Sequence, residues 1–162
     1  VGLKDQQGQG PNYVPAYQTS GTPFVTSSAA TGVQEGPVRV QFPYVTKTIT
    51  VQNLDTSNGL RVAFTKSGSW AVGEAVGGSS HDKPQGNWTL EAYQGNNFFT
   101  LPGRTAAAGP SQVTLDVRCK EVYLMSNHAT ADVEFSLYAG LTGISTMQFP
   151  VLTASNLFKG VG

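Results

Sequence analysis

Apolar residues in this chain recur at every second position and nowhere at sustained helical spacing, and that pattern excludes most folds at the outset. From Pro37 onward Val38, Val40 and Phe42 alternate with Arg39 and Gln41, the period of a strand with one buried face. The next stretch, Tyr44-Val-Thr-Lys-Thr-Ile-Thr-Val-Gln52, is dense in β-branched residues, which suit a pleated surface. Asn58-Gly59 tolerates positive φ, and Leu60-Arg-Val-Ala-Phe-Thr65 alternates again, so 44–65 is predicted to be a hairpin. Further strands are expected at 88–92, 97–101, 112–119, Glu121–Ser126 and 131–138, with a last one near 147–152. Gly95, Pro102-Gly103, Gly109-Pro110 and Asn127 divide them, and residues 73–87 have the Gly, Ser and Pro content of a loop. The best helical candidate, Arg104-Thr-Ala-Ala-Ala108, is too short and lies between two glycines.

Strands this short and numerous must form two packed sheets or a closed barrel, because one open sheet leaves an apolar face and two edges in water. Eight strands in two sheets is the jelly-roll pattern. At 162 residues the chain holds one domain with a real core. The expected class is therefore all-β: a single eight-stranded jelly-roll β-sandwich over residues 37–162, with a short C-terminal tail and an extended N-terminal arm over residues 1–36.

The arm is rich in Gly, Gln, Ser, Thr and Pro, with anchors at Tyr13, Val14, Tyr17, Phe24 and Val25. It lacks the apolar surface to order itself, yet carries aromatic residues that a solvated linker does not need. Fully extended it reaches on the order of 120 Å. These five residues are the expected assembly contacts, docking the arm on another subunit.

Charge and chemistry narrow the function. Ten Lys and Arg balance ten Asp and Glu, and charged residues make up 12% of the chain, about half the usual share. Such a surface does not attract nucleic acid or anionic membrane non-specifically and resists self-association weakly. No run of about 18 apolar residues occurs, so a soluble domain without membrane insertion is expected. A catalytic site must be assembled from His81, His128, Cys119 and ten acidic residues. The two histidines have no histidine neighbour at metal-ligand spacing, and the hydrolase elbow, the Cys-x-x-Cys pair and the phosphate loop are absent. Cys119 closes the alternating run Val113, Leu115, Val117 and is expected to be a buried thiol. Asp132 and Glu134 alternate with Val133 and Phe135, as on a solvated sheet face rather than in a carboxylate pair. No enzyme activity, cofactor or metal is expected. Trp70, Trp88, Tyr93, Phe98 and Phe99 offer either core or a platform for sugar rings, and the latter makes a carbohydrate-binding β-sandwich the alternative function.

Four segments carry a family resemblance: Phe42-Pro-Tyr-Val-Thr-Lys-Thr-Ile-Thr-Val-Gln-Asn53, Leu60-Arg-Val-Ala-Phe-Thr65, Asn97-Phe-Phe-Thr-Leu101 and Tyr138-Ala-Gly-Leu-Thr-Gly-Ile144. Together they resemble the penton-type single jelly-roll capsid proteins of large double-stranded DNA viruses, the group of algal viruses and virophages. The resemblance spans roughly 37–152. It implies a structural subunit that forms a homopentamer at the icosahedral five-fold vertices of a virion. Its implied partners are a double jelly-roll major capsid protein and minor capsid proteins, without direct contact to nucleic acid. A minor capsid or spike protein is the nearest variant of this role. No Arg-Gly-Asp loop is present, so nothing points to receptor attachment.

Overall fold

The computed structural model describes residues 21–71, 75–76, 79–80, 97–104, 109–152 and 161, the short pieces 75–76 and 79–80 by backbone alone. The expected strand at 88–92, the arm residues Tyr13, Val14 and Tyr17, and most of the loop at 73–87 lie outside the described residues; within that loop Ala75–Val76 and Ser79–Ser80 pair as two short strands. Among the described residues ten strands run in chain order: β1 (Thr22–Ala30), β2 (Val38–Gln41), β3 (Tyr44–Asn53), β4 (Leu60–Ala63), β5 (Ala75–Val76), β6 (Ser79–Ser80), β7 (Phe98–Leu101), β8 (Ser111–Leu115), β9 (Glu121–Ser126) and β10 (Val133–Ser145). Two short 3-10 turns, Ser67–Ser69 and Thr146–Gln148, are the helical elements among the described residues. None of these is long and apolar enough to cross a membrane.

The strands form two antiparallel four-stranded sheets, ordered β1-β10-β3-β8 (sheet A) and β2-β9-β4-β7 (sheet B), beside the small β5-β6 pair. The fold is all-β and sandwich-like, as the alternation predicts. Inward residues of the two large sheets build one core: Ile49 and Val51 from β3, Phe135, Leu137 and Ala139 from β10, Val62 from β4, and Val122 and Leu124 from β9. Burying a side chain such as Phe135 or Leu124 stabilises the fold by roughly 1.5–3 kcal/mol. The expected absence of a clean helical stripe follows from the same geometry, since period 2 places every second side chain in this layer.

Three expectations are corrected. The predicted hairpin over 44–65 does not form: β3 belongs to sheet A and β4 to sheet B, where β4 pairs with β9 and β7. The intervening loop crosses between sheets. Asp55 Oδ1 accepts from the backbone N–H groups of Ser57 and Asn58 at 2.7 and 2.6 Å, and the Asn53 amide donates to the carbonyls of Asn58, Leu101 and Pro102 at 3.0–3.1 Å. Alternation looks the same in a hairpin partner and in a strand of the opposite sheet, so the pattern did not separate the two. Gly59 is needed for close approach rather than for a turn: a Cβ there falls 2.7 Å from Thr100 Cγ2.

The second correction concerns the arm. Residues 22–30 are β1, paired with β10 along nine residues from Thr22↔Leu141 to Ala30↔Val133. Ala30 is fully buried, and Phe24 meets Phe42 edge to face with ring centroids 5.2 Å apart. The following loop is tied to the domain as well. Val33 and Gln34 donate to the carbonyls of His128 and Ala129 at 2.9 and 3.0 Å, and Ser126 donates to Thr31 at 2.9 Å. The Thr- and Ser-rich sequence of β1 conceals its alternation, because half-buried edge positions tolerate small polar residues.

Third, β10 continues to Ser145 where 131–138 was expected, with register shifts after Gly140 and Leu141. The strand expected near 147–152 is replaced by the Thr146–Gln148 turn, capped by the Ser145 hydroxyl, which accepts from the Met147 N–H at 3.3 Å. Phe149 then packs on the buried pair Val45 and Ile144.

Candidate functional site

The groups that sequence analysis weighed for chemistry are dispersed. His128 is exposed in the turn after β9, and its Nδ1 accepts from the N–H groups of Thr130 and Ala131 at 3.2 and 3.0 Å, which makes it a turn-stabilising residue. His81 lies outside the described residues. Cys119 is fully buried, and burial pushes its thiol up to about 11, which leaves almost no thiolate near neutral pH. Asp132 and Glu134 are exposed on the solvent side of β10 and its approach. No group of three His, Cys, Asp or Glu suited to a metal ion occurs among the described residues.

The aromatic platform does not assemble from its described members. Trp70 is buried with Val33 and Met125 against the outer side of sheet B. Phe99 packs into the intersheet core. Phe98, one position along β7, faces the opposite way with the Arg61 guanidinium 4.5 Å from its ring centroid, a cation–π contact. Trp88 and Tyr93 lie outside the described residues.

What the structure does assemble is two outer faces of different character. On sheet A the register aligns Val25, Tyr138, Thr50 and Thr114 in one row, and Ser27, Ser136, Gln52 and Gln112 in the next. Hydroxyl pairs Ser27–Ser136 and Thr50–Thr114 bridge neighbouring strands at 2.8 and 2.9 Å. Neither row holds a charge. Val25 is 70% and Tyr138 45% exposed, so an apolar pair stands in a hydroxyl- and amide-lined surface.

Sheet B presents charge at its β2 edge. Arg39 donates through Nε to Glu121 Oε2 at 2.7 Å, and through a second guanidinium N–H to the same oxygen. The Tyr123 hydroxyl donates to Glu121 Oε1 at 3.2 Å, and the Gln41 amide, turned with its oxygen toward Arg39, accepts at 2.8 Å. The hydrogen bond to Glu121 holds the Arg39 guanidinium pKa above its ordinary value. Burial, followed by the Glu121 charge, does the same for the Tyr123 phenol. An open groove of about 250 Å³ adjoins this cluster, lined among others by Phe42, Lys120 and Thr146, and Met147 stands 94% exposed at its rim.

Of the five expected assembly contacts, then, Phe24 is committed to the chain's own core and Val25 is displayed to solvent, while Tyr13, Val14 and Tyr17 fall outside the described residues. Sequence analysis missed the Tyr138 partner of Val25 and the Arg39–Glu121 pair, both of which depend on which strand lies beside which. Comparison of the chain with family models, with curated proteins and with solved structures returns no match.

Proposed function

We propose that this chain is a single jelly-roll capsid subunit whose work is self-assembly, forming the penton-type pentamer at the five-fold vertices of a double-stranded DNA virion. The observation that carries the reading is the strand order. Leaving the β5-β6 pair aside, the chain passes between the two sheets in the sequence A, B, A, B, B, A, B, A, an order in keeping with two interleaved Greek keys. Three of the four segments that resemble the penton group coincide with core-lining strands β4, β7 and β10, and the remaining one runs through β3. The charge-poor outer face of sheet A favours contact with protein over a free existence in water.

In this role the chain uses one heterologous interface repeated around a five-fold axis, so a modest contact per subunit is multiplied by ring closure. Double jelly-roll capsomers and minor capsid proteins are the outward partners of that ring. Native mass spectrometry of the chain across a concentration series tests the reading, with a discrete five-subunit species as the expected result. A trimer redirects the assignment to a spike or minor capsid role, and a persistent monomer that binds glycans makes the carbohydrate module the better account.

A further inference from the structure

The turn between β9 and β10 is fastened at its two ends by different chemistry. At the β9 end the groups do not titrate. Asn127 Oδ1 accepts from the Gly59 N–H at 2.8 Å, the Asn127 N–H donates to the Gly59 carbonyl at 2.9 Å, and the Ser126 hydroxyl accepts from the His128 N–H at 3.1 Å. The β10 end hangs on one imidazole. His128 Nδ1 accepts from the N–H groups of Thr130 and Ala131, two and three residues on, the place that an Asn or Asp side-chain oxygen takes in a turn. Nδ1 accepts only while it carries no proton, so the ring is neutral with its hydrogen on Nε2. A second proton turns this acceptor into a donor that faces two other donors.

The half of the turn that His128 holds is where the loop between β1 and β2 docks. That loop is closed on itself: the Thr31 hydroxyl donates to the Gly36 carbonyl at 2.6 Å, and the N–H groups of Glu35 and Gly36 donate to the Gly32 carbonyl at 3.1 and 3.2 Å. It leans on the turn through the N–H groups of Val33 and Gln34, which donate to the carbonyls of His128 and Ala129. Gly32 lies so close to Ala129 and Thr130 that not even a Cβ fits between them. A loop bonded within itself moves as a body when the surface beneath it shifts.

We propose that His128 is a pH-sensitive latch: its protonation opens the 129–131 half of the turn and frees the β1–β2 loop, while the Asn127–Gly59 half stays closed. The latch is shut at neutral pH and opens as pH falls, since imidazoles take up their second proton between about pH 8 and about pH 5. The charged groups on the elements packed around the turn are Glu35 on the β1–β2 loop, Asp55 and Arg104 beside the β3–β4 crossing, and Asp132 and Glu134 at the approach to and start of β10. Among the described residues none of them forms a hydrogen bond or ion pair with His128, and Asp55 Oδ1 is taken by the Ser57 and Asn58 N–H groups. No carboxylate among them is placed to hold the imidazolium once the acceptor bonds are lost. The inference rests on the fold alone and is independent of the self-assembly reading.

Amide hydrogen exchange of the full chain, read residue by residue by NMR at about pH 7.5 and about pH 5 and divided by the intrinsic rate at each pH, tests it. Protection of the Gln34, Thr130 and Ala131 amides is expected to fall about tenfold at the lower pH, while that of Gly59 and Asn127 changes by less than about twofold. His128→Asn supplies an oxygen in place of Nδ1 that does not titrate, so this variant keeps the protection at both pH values. His128→Ala has no acceptor and shows the low protection at both. Equal protection of Gln34, Thr130 and Ala131 at the two pH values in the parent chain overturns the proposal. So does a His128→Asn variant that loses protection in acid as the parent does, because the titrating group is then a carboxylate such as Glu35 or Asp132. Parent-level protection in His128→Ala at the higher pH overturns it as well, since the imidazole then holds nothing.

Discussion

The Thr46 hydroxyl has no exposed surface and serves three backbone groups. It donates toward the Val117 carbonyl at 2.8 Å, lies 3.2 Å from the Cys119 carbonyl, and accepts from the Cys119 N–H at 3.0 Å. In this way it holds the chain between β8 and β9 against β3. Thr46→Val keeps the shape but orphans a buried donor and acceptor, so unfolding in urea is expected to register a loss of about 1–3 kcal/mol, with Thr46→Ser recovering most of it. Cys119 beside it gives a pH signature. Burial raises its folded pKa from 9.0 to about 11, so the folded state holds the thiol proton more tightly than the unfolded chain does. That contribution is intact below pH 9.0 and is lost as pH rises toward about 11. Thermal melts should therefore fall across that interval, and a Cys119→Ala variant should fall less.

The loop between β1 and β2 behaves as part of the sandwich. Gly32 sits so close to the 126–130 turn that a Cβ would lie 2.7 Å from the Ala129 carbonyl oxygen and 2.8 Å from Thr130 Cα. Because those atoms are backbone, Gly32→Ala must displace the loop from the turn, and denaturation is expected to show a loss of about 1–3 kcal/mol. Val33, Trp70 and Met125 pack beneath that contact, so near-ultraviolet circular dichroism of Trp70 should report the same displacement. At this scale the sequence was only partly legible. Val38 to Phe42 and Glu121–Ser126 declared themselves by alternation, whereas β1 did not, since Thr22, Thr26 and Ser28 carry no hydrophobic signal at positions where the neighbour β10 supplies the apolar partner.

At the scale of the whole molecule, a balanced and sparse charge distribution and the two uncharged rows on sheet A mean that the proposed self-assembly would rest on apolar contact rather than on ion pairs. The Arg39–Glu121 pair is partly exposed, with side-chain exposures of 49% and 16%, and pairs of this kind contribute at most about 1 kcal/mol. Raising salt from about 0.1 to about 1 M shortens the Debye length from about 10 to about 3 Å. The oligomer population should change by less than about twofold over that range, as read by light scattering. A steep loss of oligomer with salt would place the contact on the charged β2 edge instead. Tyr138→Lys, which adds a charge to the outer face without touching the core, is expected to weaken assembly while leaving the unfolding midpoint within about 0.5 kcal/mol of the parent.

Period-2 alternation, β-branched content and the absence of a helical stripe determined by themselves that this chain is all-β, because side-chain direction along a strand is a property of the backbone and needs no partner. The same local chemistry predicted that Val40, Phe42, Val133, Phe135 and Cys119 are interior. Which strand lies beside which was decided only by the tertiary structure. Alternation is blind to the sheet a strand joins, so β3 and β4 read as a hairpin until the Asp55 loop carries them into separate sheets. It is equally blind to an edge strand of threonine and serine, so β1 and the Val25–Tyr138 pair emerged only when long-range pairing with β10 set their register.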